Sequence, residues 1–227
     1  MKPLTLIAIR PPEFAPRLAY AALLLAADRL VLADTFPFSR QAGHNRTRIR
    51  TPQGPMWLSI PRVHAGRALP LAAVEVVEDG WRERHRKTLR AAYGMAPFFE
   101  HVAPEWDAVL ATDGSLADLA VASLRLTKRW LGSESALVRA SELPGAPATL
   151  AAVAEAAGVE TLLTLPESAG RDRAALPHAE VRVLSFSESA RRQQGDGFVP
   201  GLGVLDLLMN HGPAAADVLR EGIEAGG

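Results

Sequence analysis

The chain has 227 residues, with 25 cationic and 25 acidic side chains, so its formal charge at pH 7 is zero. No long-range field favours nucleic acid or an acidic membrane, and any anion recognition must come from local clustering. There is no cysteine, which excludes disulfides, thiol nucleophiles, thiolate metal sites and iron–sulfur clusters together.

In chain order, Leu4 to Ile9 is an apolar run ended by Arg10-Pro11-Pro12 and reads as a buried first strand. Pro16 suits a first helical position, and Arg17 to Ala27 is a strong helix former. Arg29 to Ala33 reads as a second buried strand ending at Asp34. Together they make a βαβ unit, in which ligands bind beyond the carboxyl ends of the strands. That places the loop from Arg10 to Pro16 and Asp34 on one rim. Leu18 to Ala27 is the longest apolar run and falls short of the ~18–20 residues of a membrane span. Met1 to Arg10 lacks the layout of a signal peptide. The expectation is a cytoplasmic protein with no membrane span.

Arg46 to Thr51 and Met56 to Ile60 flank the turn signal Pro52-Gln53-Gly54 and predict a β-hairpin. Alternation puts Arg46, Arg48 and Arg50 on one face, and Met56, Leu58 and Ile60 on an apolar face of the return strand. Leu71 to Val77 reads as a further strand. Trp81 to Tyr93 is a helix with Trp81, His85, Leu89, Ala92 and Tyr93 on one stripe. A shorter helix is expected from Pro104 to Ala111. Ser115 with Asp118 resembles a capping box opening a helix to Leu131. Then follow a strand from Ser135 to Arg139, a helix from Thr149 to Ala157 stopped by Gly158, and strands at Thr161–Leu165 and Glu180–Phe186. Ser187 to Gly197 reads as a polar surface loop. A helix after Pro200-Gly201 runs to Asn210, and the last residues read as a frayed tail. The pattern predicts a single α/β domain over 1–227. Its expected architecture is a Rossmann-like, mostly parallel sheet flanked by helices, with an inserted hairpin at about 46–60 and extra helices.

Position has to single out functional arginines, because only three of the 25 cationic residues (Lys2, Lys87 and Lys128) are lysine. Asn45-Arg46-Thr47-Arg48 offers an amide, a hydroxyl and two same-face guanidiniums, planar forks suited to carboxylate and phosphate. The other reading is a solvated strand face with surface ion pairs. His85 is either a core histidine or a proton carrier at a cleft wall, and Tyr93 either packs or presents its hydroxyl to the same cleft. Asp206 is surrounded by apolar residues, so it needs a partner; it is expected to contact an arginine or histidine, with Asn210 one turn on. Asp34 either caps a turn or holds a ribose hydroxyl or basic group. The chain lacks Gly-x-Gly-x-x-Gly, a P-loop, a zinc-spaced histidine pair, a Gly-x-Ser-x-Gly elbow and RNA-binding aromatic signatures. No cofactor is indicated.

Three segments carry a resemblance. They are Asn45-Arg46-Thr47-Arg48-Ile49 with its return Trp57-Leu58-Ser59-Ile60-Pro61; Trp81-x-x-x-His85-x-x-x-Leu89-x-x-x-Tyr93 followed by Ala96-Pro97-Phe98-Phe99; and Phe198-Val199-Pro200-Gly201-Leu202-Gly203 through Asp206 to Asn210-His211-Gly212. In this order and spacing the chain resembles the bacterial WbqC-like protein family over nearly its whole length. The resemblance implies a role near O-antigen, lipopolysaccharide or other surface-polysaccharide biosynthesis, with acyl or aminoacyl transfer onto an amino sugar proposed for the family. It implies a small-molecule substrate (a nucleotide sugar, amino sugar or acyl donor) and no nucleic acid. His85, Asp206 and Tyr93 would be the catalytic candidates. Asn45, Arg46, Arg48, Asp34, Tyr20 and Asn210 would be the substrate-binding candidates. The alternative is a catalytically altered relative that binds a small molecule or a partner. It is favoured by the first loop, where the family's Ile-x-Gln-Pro-x-Tyr-x-Pro-Trp is replaced by Ile9-Arg10-Pro11-Pro12-Glu13-Phe14-Ala15-Pro16-Arg17 and only Tyr20 survives nearby. Gly43 stands where the family has an aromatic.

Overall fold

Five short parallel strands form the sheet that organises this chain. They are β1 (Leu6–Arg10), β2 (Arg29–Leu32), β5 (Ala136–Arg139), β6 (Thr161–Thr164) and β7 (Glu180–Val183), in the order β5-β2-β1-β6-β7. The computed structural model describes residues 5–64 and 68–224. The start of the expected first strand at Leu4 and the expected frayed residues 225–227 lie outside them.

Side chains alternate across the sheet as a period of two requires. Ala8, Leu30 and Leu32 pack with α1 (Leu18–Ala26) and α4 (Leu116–Trp130), whereas Ile7, Ile9 and Val31 pack with α5 (Leu150–Ala157) on the other face. A third core lies beside the sheet. There the hairpin β3 (Arg46–Thr51) and β4 (Gly54–Ser59) packs with α2 (Trp81–Tyr93), α3 (Phe99–Leu110), α7 (Val204–His211) and α8 (Ala215–Gly222). The fold is thus α/β, a parallel sheet flanked by helices plus small antiparallel hairpins. Among the described residues no helix is long and apolar enough to cross a membrane.

Local signals hold at several boundaries. Ser115 accepts from the Asp118 amide while the Asp118 carboxylate accepts from the Ser115 amide, a full capping box on α4. Gly158 ends α5 with φ +65°, a left-handed conformation that costs glycine nothing.

Other boundaries differ from the sequence reading. Leu71–Ala73 is a single 3₁₀ turn rather than a strand, with only an isolated bridge between Arg62 and Val76. α3 starts at Phe99, not Pro104, because Phe99, Val102, Trp106 and Val109 make one buried face that outweighs the amide missing at Pro104. The expected strand to Phe186 breaks after Val183, and Ser185–Phe186 (β8) pairs instead with Ile223–Glu224 (β9). Two helices were not read, α6 (Pro166–Ala175) and α8.

Candidate functional site

In the sheet order the chain reverses direction between β1 and β6, and clefts form at such switch points beyond the strand ends. A cleft of about 230 Å³ lies there. Arg10, the last residue of β1, lines it with Glu13, Ala15 and Arg17 from the β1–α1 loop. Glu167 from the first turn of α6 joins them. The opposite wall is the hairpin, through Arg46, Thr47, Arg48 and Trp57, and Gly201 and Gly203 contribute from the segment before α7. The rim read from the first strand and the arginine face of the hairpin therefore enclose one space.

The floor is a three-way junction. Thr47 Oγ1 donates to the Ala15 carbonyl at 2.8 Å, Gly203 N donates to the Arg48 carbonyl at 2.8 Å, and Val204 N donates to the Pro16 carbonyl at 2.8 Å. Such close backbone approach requires a glycine. A Cβ on Gly203 would lie 1.9 Å from Thr47 Oγ1 and 3.0 Å from the Ala15 carbonyl oxygen. Gly203→Ala is therefore expected to cost about 1–3 kcal/mol through overpacking, with part of the loss recovered in Thr47→Ala/Gly203→Ala. Urea unfolding measures both; an unchanged midpoint in the single variant would contradict the junction.

Four guanidiniums and two carboxylates line the cleft. Glu13, only 4% exposed, accepts from the Arg17 amide at 3.2 Å and from the Arg17 guanidinium at 3.0–3.3 Å. Glu167 reaches Arg10 and Arg17 at 3.4 Å each. Arg46 and Arg48 differ from this pair. Among the described residues neither has a carboxylate within ion-pair distance: Arg46 donates to the Arg40 carbonyl at 3.0 Å and sits 4.4 Å from the centre of the Trp57 ring, and Arg48 sits 5.9 Å from it. Cation–π contact with a half-exposed indole steadies the forks without neutralising them. Arg50 keeps its place in the alternation along β3 but is buried and lies outside the cleft lining. Its guanidinium turns to Gln193 Oε1 at 3.0 Å and to the carbonyls of Asp196 and Gly197. Of the expected apolar trio, Leu58 and Ile60 are buried but Met56 is exposed.

The remaining candidates lie outside the cleft lining. Asp206 is fully buried and does contact an arginine. Its Oδ2 accepts from Arg191 at 3.2 Å and Gln193 Nε2 at 3.0 Å, and its Oδ1 from the Tyr93 hydroxyl at 3.3 Å and Asn210 Nδ2 at 3.4 Å. Burial pushes the Asp206 carboxyl up against the pull of Arg191 and these donors. Tyr93 also accepts from the Arg50 amide at 2.9 Å, and its burial raises the phenol beyond the usual range. The polar stretch Ser187–Gly197 is thus no simple surface loop, since Arg191 and Gln193 plunge from it into the core.

His85 is buried, with Nε2 3.0 Å from the Ser59 carbonyl and its ring edge-on to Trp81 at 4.9 Å. Nε2 donates there, and among the described residues Nδ1 has no partner. Protonation would bury an unsatisfied Nδ1–H, and burial lowers this pKa to about 4. Tyr20 donates to the Pro11 carbonyl at 3.2 Å and so braces the cleft rim from behind. Asn45 closes the hairpin by donating to the Ile60 carbonyl at 2.8 Å. Asp34, fully buried, holds Arg139 at 2.7 Å and the Ser141 amide and hydroxyl.

The sequence points to Arg46 and Arg48 as binding residues and to the loop from Arg10 to Pro16 as a rim, but it singles out none of Arg10, Glu13, Arg17 or Glu167 as a binding residue. The signal for Arg10, Glu13 and Arg17 was the rule that ligands sit after a parallel strand. The signal for Glu167 was Pro166 opening a helix.

The description "WbqC-like protein family" belongs to a family model that matches residues 11–218. The chain is also 26% identical over 226 residues to the uncharacterized protein Rv1507c of Mycobacterium tuberculosis, covering 94% of this chain and 97% of that one. No solved structure matches it. The matched span runs from the cleft's β1–α1 loop through the hairpin, the buried Asp206 cluster and into α8, so the chain belongs to the WbqC-like protein family.

Proposed function

We propose that the cleft binds a small molecule through a phosphate or carboxylate held by Arg46 and Arg48, and that this is the substrate site of a transferase acting in surface-polysaccharide (O-antigen) sugar biosynthesis. The observation that carries the binding step is the pair of cleft-lining guanidiniums that have no carboxylate partner among the described residues. Fixed guanidiniums favour the charge that develops in acyl or phosphoryl transfer. Transfer of an acyl or aminoacyl group to an amino sugar is the reaction this reading takes from the family. His85 stands behind the hairpin, outside the cleft lining.

A second reading, a relative that binds without turnover, draws on the internal engagement of His85, Tyr93 and Asp206. Calorimetric titration with orthophosphate tests the shared step. Arg46→Gln/Arg48→Gln is expected to weaken binding by at least about tenfold, since each charge-assisted hydrogen bond contributes about 1.5–3 kcal/mol. Its melting temperature should stay close to wild type. Undiminished binding would defeat the assignment. Mass-spectrometric detection of acylated amino sugar separates the two readings, and loss of product in His85→Ala with binding intact would restore a role for that histidine.

A further inference from the structure

The rewritten first loop adds charge to the cleft. Arg10 and Arg17 stand on its second wall, and their guanidiniums converge on a single oxygen, Oε1 of Glu167, at 3.4 Å each. That is long for a charge-assisted hydrogen bond, which closes to about 2.7–2.9 Å. Glu167 is half-exposed at the start of α6. The other anchors are firmer. Arg10 Nη1 donates to the Ser168 hydroxyl, and Arg17 is clamped by the buried Glu13 through its amide and its guanidinium. Two cations are thus fixed from behind, while the carboxylate between them is loosely held and free to swing into solvent.

A guanidinium has five donors. Arg10 uses one on Ser168 and one on Glu167, which leaves capacity for an incoming oxygen. Room is kept on the hairpin side as well. A Cβ on Gly201, whose φ is +72°, would come within 3.2 Å of Arg48 Nη1.

We infer that the cleft takes a ligand with two linked phosphoryl groups, one on Arg46 and Arg48 and the other on Arg10 and Arg17, and that Glu167 occupies the second subsite until the ligand displaces it. This deepens the anion-binding reading of the same cleft and rests on it. The chemistry is that of a diphosphate, free or esterified as in a nucleoside diphosphate. Opposed guanidinium pairs fit two anionic centres, whereas a single phosphate engages only one wall.

The test is calorimetric titration of the full chain with orthophosphate, pyrophosphate and uridine diphosphate. Pyrophosphate should bind at least about tenfold more tightly than orthophosphate, the gain from one further charge-assisted contact. Arg10→Gln and Arg17→Gln should remove that advantage and leave orthophosphate binding intact. Glu167→Gln, a substitution on an exposed side chain that should not disturb folding, should tighten pyrophosphate several-fold without changing orthophosphate. Uridine diphosphate tighter than pyrophosphate would assign the diphosphate to a nucleotide; equal affinity would assign it to the diphosphate group alone; both support the inference. Equal affinity for orthophosphate and pyrophosphate, or no effect of Glu167→Gln, overturns it while the single-anion reading stands. Absence of any anion binding overturns both.

Discussion

Asp206→Ala is expected to destabilise the protein by about 3–5 kcal/mol, the cost of breaking a buried ion pair from one side. The carboxylate is fully buried, and the Arg191 side chain opposite is only 4% exposed. Alanine would leave that guanidinium with Glu188 alone, at 3.2 Å. Among the described residues Arg191 Nε already lacks a partner, so they hold no spare acceptor to absorb the loss. Tyr93, Gln193 and Asn210 would each lose a hydrogen bond as well. Replacing both charges, in Asp206→Ala/Arg191→Met, should recover part of the loss, because two apolar groups need no compensation. Urea unfolding of the two single variants and the double variant measures the coupling; a loss below about 1 kcal/mol in Asp206→Ala would contradict the buried pair. The consequence reaches the cleft. Gln193 is held by Asp206 and in turn holds Arg50 and the Val199 amide, and the same segment runs on to Gly201 and Gly203. Hydrogen exchange in Asp206→Ala should therefore rise first across residues 191–203.

Acidification from pH 7 to pH 5 is expected to remove roughly 4 kcal/mol of stability, shared between His44 and His85. Both are buried, and both have pKa values lowered to about 4. Desolvation is the largest cause in each case. Arg10 adds repulsion at His44, and Arg84 adds it at His85, where the Ser59 carbonyl pulls the other way. His44 Nδ1 accepts from the Ser39 amide at 3.2 Å, a bond that protonation would break.

The unfolded chain binds these protons near pH 6.5 and the folded chain only near 4. Their contribution is complete above pH 6.5 and is lost progressively as pH falls towards 4. Each histidine accounts for about 2 kcal/mol at pH 5 by linkage. Asp206 opposes them. Its carboxyl is raised by burial, so the folded state takes up that proton more readily than the unfolded state above the ordinary carboxylate range. Urea midpoints at pH 7, 6 and 5 give the slope, and His44→Gln and His85→Gln should each remove about half of it. A slope unchanged in both variants would contradict the burial argument.

Much of the fold was legible because its signals are local. Compact apolar runs ended by Arg10-Pro11-Pro12 and by Asp34 marked β1 and β2, alternation around Pro52-Gln53-Gly54 marked the hairpin, a stripe from Trp81 to Tyr93 marked α2 to the residue, and Ser115 with Asp118 marked the start of α4. The misses share a cause. Leu71 to Val77 has the composition of a strand, but among the described residues only an isolated bridge joins it, from Val76 to Arg62 outside any strand, and hydrogen-bonding partners are a tertiary matter. Gly170 and a mostly polar composition hid α6, which packs against β6 and β7. Pro213 read as an end, although the chain turns once and continues as α8.

The candidate site divides in the same way. The sequence alone determined that arginines alternate along one strand, that a carboxylate at 206 must be paired, and that a rim follows the first strand. Only the tertiary structure decided which arginines remain uncompensated. Arg50 finds acceptors about 145 residues away, Arg10 and Arg17 find Glu167, and among the described residues Arg46 and Arg48 find only an indole and a carbonyl. A guanidinium's charge is fixed by its chemistry, but its partners are fixed by which distant segments the sheet order and the docked hairpin bring within hydrogen-bond reach. That is why the Asn45–Pro61 hairpin could be singled out in advance and the cleft it completes could not.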